Sequence, residues 1–153
     1  RGSVVPLFVN QIKNNKPLTV TNPKMTRFMM TLDEAVNLVF YALENGNQGD
    51  IFVQKSPAAK LSDIILSLEK IFKKTLEIKT IGTRHGEKLY EDLVSTDELQ
   101  RAKENKNYFQ INMDNRNLKY ENYIFKGSNV NYTETYNSHN TEQLSVKNIV
   151  ELL

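Results

Sequence analysis

Short extended runs alternate with amphipathic helical segments along this chain, and no extended run is longer than five residues. Such brief, interrupted elements predict a small α/β layer rather than a complete doubly wound sheet. Val4, Val5, Phe8, Val9 and Ile12 recur at helical spacing, with Pro6 in the first turn where its missing N–H does no harm, so a helix is expected over 4–14. Strands are expected over 18–21 and 27–30, either side of the Asn22-Pro23 turn. Thr31 and Glu34 form a capping-box pair, and Ala35, Leu38, Val39, Ala42 and Leu43 give the next helix one apolar stripe ending near Gly46. A strand over 50–54, a helix over 62–74 and a strand over 77–81 follow. After the loop 82–87, a second capping-box pair, Ser95 and Glu98, opens a helix predicted over 95–103. A strand over 108–111 comes next. Periodicity fades from 114 to 140, an Asn- and Tyr-rich irregular arm, and returns as a helix over 145–153.

The charge balance, 20 basic against 18 acidic residues, is too even for a nucleic-acid or membrane-surface partner. The absence of cysteine excludes disulfides and thiolate metal sites and is compatible with a reducing cytoplasm. No apolar run approaches the ~18 residues of a membrane span. His85 and His139 are the only histidines and have no ligand-like spacing with other donors, so no metal is expected. The opening Arg1-Gly2-Ser3-Val4-Val5-Pro6-Leu7-Phe8 reads as the interior of a longer chain.

The densest chemistry is Gly82-Thr83-Arg84-His85-Gly86-Glu87-Lys88, after a strand. Arg84 there suits a phosphate as a forked donor, and Glu87 suits a pair of sugar hydroxyls. The competing reading is a solvated charged turn. Arg27 starts an apolar strand, Phe28-Met29-Met30, and must either snorkel to water or meet an anion; the competing reading pairs it at the strand edge with Asp33 or Glu34. No glycine-rich dinucleotide loop follows a strand, and no tyrosine is followed four residues on by lysine, so hydride-transfer machinery is absent from this segment. The aromatic residues of the arm (Tyr120, Tyr123, Phe125, Tyr132 and Tyr136) argue for docking rather than a free tail.

Six strings now stand in order: 1–8; Met25-Thr26-Arg27-Phe28; Gly49-Asp50-Ile51-Phe52-Val53-Gln54-Lys55; 82–88; Asp114-Asn115-Arg116-Asn117-Leu118; and Ser138-His139-Asn140-Thr141. Together they resemble the C-terminal portion of the bacterial capsule and O-antigen enzymes that act on UDP-N-acetylglucosamine. These are the 4-epimerases and inverting 4,6-dehydratases of the extended short-chain dehydrogenase/reductase family. The resemblance implies an α/β fold that is the substrate-binding part of such an enzyme, without its Rossmann half and with an irregular C-terminal arm. It implies a UDP-sugar-binding domain over 1–113 and a C-terminal extension over 114–153. Gly2, Ser3 and Val4 resemble the loop passing the nucleotide, and Thr19 and Val20 the segment bordering uracil. Arg27 and Arg84 resemble the arginines that hold the diphosphate, and Glu87 the acid that meets the ribose. Gln143 stands where a basic residue is expected.

The implied cofactor, NAD or NADP, belongs to the missing half, and neither cofactor-binding nor catalytic residues are expected here. Implied partners are UDP-N-acetylglucosamine or a related UDP-sugar, the Rossmann half, and further copies in a cytoplasmic homo-oligomer. The alternative is a non-catalytic interaction module from a split or degraded gene.

Overall fold

The computed structural model describes residues 3–83, 85–113 and 134–153. These divide into two compact units, each assembled from separated stretches of chain.

The first unit takes Arg1–Met29, Ser56–Glu91 and Ser138–Leu153. It holds α1 (Val4–Lys13), β1 (Leu18–Val20), β2 (Thr26–Phe28), β4 (Ala58–Lys60), α3 (Leu61–Phe72), β5 (Ile78–Thr80) and α5 (Val146–Leu152). Burial follows the periodicity. Phe8 and Ile12 of α1, Leu18 and Val20 of β1, Ile64, Ile65 and Leu68 of α3, and Ile149 of α5 share one core with Met25 and Met29. Asn15 takes a left-handed φ of 51°, and the chain reverses between α1 and β1. Gln11 then clamps β1 through its amide: Nε2 donates to Thr19 Oγ1 at 2.8 Å and Oε1 accepts from the Thr19 N–H at 3.2 Å. β1 pairs in parallel with β5, Leu18 opposite Ile78, while β2 pairs antiparallel with β4, Thr26 opposite Lys60. α3 packs on α5, and the buried Ser67 hydroxyl lies 2.7 Å from Asp63 O and 3.2 Å from Val146 O, which satisfies it inside the contact.

β4 has no counterpart in the sequence reading. Its apolar content is two alanines, and α3 begins directly after it at Leu61, one residue before the predicted start. The strand predicted over 27–30 is instead Thr26–Phe28.

The second unit takes Met30–Lys55 and Asp92–Asn137. Its elements are α2 (Leu32–Asn45), β3 (Ile51–Gln54), β6 (Asp92–Val94), α4 (Thr96–Arg101), β7 (Ala102–Glu104), β8 (Tyr108–Ile111) and β9 (Tyr136–Asn137). β3, β8 and β7 form an antiparallel sheet in that order, with β3 at its edge. Val94, Leu99, Phe109 and Ile111 are its buried core. Both capping boxes are present: Thr31 with Glu34 on α2, and Ser95 with Glu98 on α4. α4 stops at Arg101, short of the predicted 103, because the next residues leave the helix as β7 and pair with β8.

The apolar stripe predicted for α2 divides. Ala35, Leu38 and Ala42 are half-buried, while Val39 and Leu43 are exposed together with Leu32, Val36 and Phe40. Tyr41 fixes the rotation of the helix: its ring stacks on Tyr108 at 4.4 Å and meets Phe52 edge-on at 5.8 Å.

Of the irregular arm, residues 114–133 lie outside the described residues. Where description resumes, Tyr136–Asn137 is a strand paired with β6. Two residues carry no readable period, so the sequence could not announce it.

Candidate functional site

The parallel pairing of β1 with β5 puts the carboxyl ends of both strands on one side, where ligands of α/β layers commonly bind. Thr19 and Val20 lie at the end of β1, and the loop 82–88 leaves the end of β5. Ile81 N–H donates to Val20 O at 2.8 Å, which carries the pairing right up to the loop. Gly82 and Gly86 take φ of 77° and 82°, conformations that suit glycine, and an added Cβ at either would meet nothing within 4 Å. The loop thus bends tightly at two points over open space.

The far end of this loop is tied to β2. Thr26 N–H donates to Leu89 O at 3.1 Å, and Arg27 Nε lies 3.5 Å from Glu91 Oε1. A second guanidinium nitrogen, Nη1, donates to Thr26 O at 2.7 Å. Glu91 is held in turn, since its N–H donates to Ser138 Oγ at 3.0 Å and its carbonyl accepts from Ser138 N–H at 2.9 Å. Thr26 Oγ1 lies 2.7 Å from both Ser138 Oγ and His139 Nδ1, and the His139 ring tilts against Tyr90 at 4.9 Å. Thr26 and Ser138 are both buried, so their hydroxyls need these partners.

Arg27 is half-buried and faces Glu91, not Asp33 or Glu34; the Glu34 carboxylate is occupied by the Thr31 capping box. Ser3 is the exposed N-cap of α1 and makes no side-chain cap, and Val4 begins the helix half-buried. The Thr19 hydroxyl and N–H are both bonded to the Gln11 amide, and the Val20 side chain is buried in the core. Glu87 is half-buried in the loop. Gly2 and Arg84 lie outside the described residues.

Sequence reasoning missed Glu91 as the partner of Arg27 and the Thr26–Ser138–His139 cluster that adjoins it. The adjacent strings Met25-Thr26-Arg27-Phe28 and Ser138-His139-Asn140-Thr141 were the available signal. Alternation along β2 sends Thr26 and Arg27 to opposite faces. A groove of about 600 Å³ lined by Lys24, Thr26, Lys60, His139 and Gln143 therefore lies on the side away from Arg27. Gln143, in the place of an expected base, donates to Ser138 O at 2.9 Å and Thr141 O at 3.1 Å, contacts internal to the turn.

Among the described residues no cluster of His, Asp or Glu is arranged to hold a metal, and no described helix is long and apolar enough to cross a membrane. The sequence has neither a glycine-rich dinucleotide loop after a strand nor a Tyr-x-x-x-Lys pair.

Residues 1–113 match the family described as Polysaccharide biosynthesis protein, and 114–153 match that described as Polysaccharide biosynthesis protein C-terminal. Relatives named UDP-glucose 4-epimerase from Rickettsia rickettsii and Rickettsia bellii are 53% and 52% identical over all of this chain, which spans 45% of their length. A solved structure, Pen from Bacillus thuringiensis, superposes with a TM-score of 0.78 at 34% identity, covering 99% of this chain and 44% of its own. The small sheets, the helices between them and these matches along the whole length agree: the chain belongs to the polysaccharide biosynthesis protein family and corresponds to the C-terminal portion of its longer members.

Proposed function

We propose that this chain is the UDP-sugar-binding segment of an NAD(P)-dependent sugar-nucleotide 4-epimerase or 4,6-dehydratase. Its substrate would be UDP-N-acetylglucosamine or a closely related UDP-sugar, used in capsule or O-antigen synthesis. The observation that carries the proposal is Arg27, pinned by Thr26 O and Glu91 beside a two-glycine loop at the carboxyl end of a parallel strand pair. A guanidinium whose position is already fixed loses little entropy on meeting an anion.

In this reading Arg27 and Arg84 neutralise the diphosphate without a metal, and Glu87 accepts from the ribose hydroxyls. Gly2, Ser3 and Val4 pass the nucleotide, and Thr19 and Val20 border the uracil. Binding energy collected on the unreactive UDP orients the sugar at a catalytic centre supplied by the preceding portion of the enzyme, which would hold NAD or NADP. The names of the Rickettsia relatives support the epimerase reading.

The test is UDP affinity by calorimetry in the full-length enzyme. Arg27→Ala should weaken binding about tenfold to a hundredfold, as expected for one charge-assisted contact of roughly 1.5–3 kcal/mol. Unchanged affinity in a folded variant would sink the assignment.

A further inference from the structure

Nothing in the UDP reading uses the groove on the far face of β2, which lies wholly within the first unit. Three stretches of chain build it. Lys24 and Thr26 come from the approach to β2, Lys60 and Ser62 from the junction of β4 with α3, and His139 and Gln143 from the turn before α5. The antiparallel register sets Thr26 opposite Lys60, so both side chains stand on one face. Arg27, one residue on, is opposite Ala59 and takes the other face.

The walls are fixed by their own bonds. His139 Nδ1 lies 2.7 Å from Thr26 Oγ1, and its ring tilts on Tyr90. Gln143 Nε2 closes the turn by donating to Ser138 O and Thr141 O. The N–H groups of Leu61 and Ser62 donate to Met25 O at 2.9 Å and Pro23 O at 3.1 Å, which fastens the start of α3 to β2. A groove so held loses little freedom when a ligand enters. Its volume of about 600 Å³ falls within the range of small-molecule sites, about 300–1,000 Å³.

Its charge is one-sided. Lys24 and Lys60 are exposed, and neither ammonium has an ion pair among the described residues. Neither Asp63 nor the exposed Glu142 pairs with them; Asp63 accepts from Ser62 Oγ at 3.3 Å instead. A phosphate ester carries about 1.5 to 2 negative charges at neutral pH, which two ammoniums offset. Lysines act as point charges without the planar fork of arginine. Two of them from separate stretches, with an imidazole from a third, approach from several directions. That suits the tetrahedral oxygens of a phosphate better than the plane of a carboxylate. Pro23 and the lysine stems leave an apolar border for the body of an ester.

We propose that this groove is a phosphate site on the face of β2 opposite Arg27, taking a small phosphorylated molecule. The volume exceeds what a bare phosphate fills, which favours a sugar phosphate over the free ion.

Lysine acetylation in the full-length enzyme reads the groove residue by residue. Acetic anhydride is applied in chloride, inorganic phosphate or glucose 1-phosphate at matched pH and ionic strength, and each lysine is followed by mass spectrometry. Glucose 1-phosphate should slow Lys24 and Lys60 at least about threefold, as occupancy requires. Lys13 and Lys70, exposed elsewhere on the same unit, should keep their rates. By calorimetry, Lys24→Ala with Lys60→Ala should weaken glucose 1-phosphate binding about tenfold or more, while Lys13→Ala with Lys70→Ala leaves it unchanged. Equal protection by inorganic phosphate would support the phosphate site and make the free ion its occupant. No slowing of Lys24 and Lys60, equal slowing of all four lysines, or binding indifferent to the Lys24 and Lys60 pair would overturn the proposal. So would slow acetylation of Lys24 and Lys60 in chloride alone, which would mean that protein fills the groove.

Discussion

Arg27 shows what residue-level chemistry the sequence disclosed and what it hid. A charge on an apolar strand must reach water or an anion, and that much was readable. Its resident partner was not, because Glu91 lies far along the chain in a stretch without period. The local candidates Asp33 and Glu34 were the only ones that spacing could propose. The glycine pair of the loop was legible for the opposite reason: left-handed φ is a local demand that glycine meets at no steric cost.

Two predictions belong at this scale. In the full-length enzyme Arg84→Ala should weaken UDP binding by about tenfold to a hundredfold. Arg84→Lys should recover only part of that, lacking the forked contact, and Glu87→Gln should do less harm; calorimetry measures all three, with circular dichroism as the check on folding. Ser138→Ala removes the acceptor of the Glu91 N–H and a partner of the buried Thr26 hydroxyl. It should cost about 1–3 kcal/mol in urea denaturation. Its effect on UDP affinity should be smaller than that of Arg27→Ala, because it acts by loosening Glu91.

At the scale of elements, the helices were legible wherever caps and stripes coincided. Ser95 and Glu98 announced α4, and Thr31 and Glu34 announced α2. The missed elements, β4, β6, β7 and β9, are two or three residues long; β4, β6 and β9 exist through pairing with distant strands, and β7 through a hairpin with β8. No local signal specifies the distant pairings, and three residues are too few for β7 to show a period. The end of α4 was misjudged because pairing with β8 overrides the helical preference of Ala102 and Lys103.

The capping box of α4 also titrates. Hydrogen bonds from the Ser95 side chain, and then from its backbone, hold the Glu98 carboxyl below its ordinary value. A depressed acid contributes stability that is complete above the ordinary glutamate value and is lost as pH falls through the lowered one. Glu98→Gln should therefore destabilise the chain at neutral pH and flatten that part of the acid limb, seen in melts from pH 7 down to about pH 3. Ser95→Ala should cost about 1 kcal/mol at neutral pH.

For the whole molecule, the bare stripe of α2 and the open edge of β3 imply a chain that is only marginally stable by itself. Its thermal transition should fall at or below the ~45–65 °C of ordinary domains, and it should rise when the preceding portion is present. A sharp monomeric transition well above ~65 °C would contradict this. The 153-residue chain should also turn over no UDP-sugar, with or without NAD or NADP; a 4-keto product or a C4 epimer above the buffer control would refute that expectation. The α/β character of the layer was evident from the alternation of elements. Its division into two units was not, because residues 30–55 and 92–113 read locally like the rest, and only long-range packing separates them.

That division bears on how the protein is made. The first unit is not one continuous stretch: the second interrupts it twice, and its third piece supplies Ile149 to the shared core and Ser138 to the Arg27 cluster. A ribosome releases the chain from one end at about 5–20 residues per second. The unit proposed to grip UDP therefore cannot close until residues 138–153 have cleared the exit tunnel, although β1 and β2 emerged more than a hundred residues earlier. Throughout that interval Leu18, Val20 and Met25 wait without the helix that completes their core. A premature stop anywhere before residue 138 would remove the proposed nucleotide grip along with the tail.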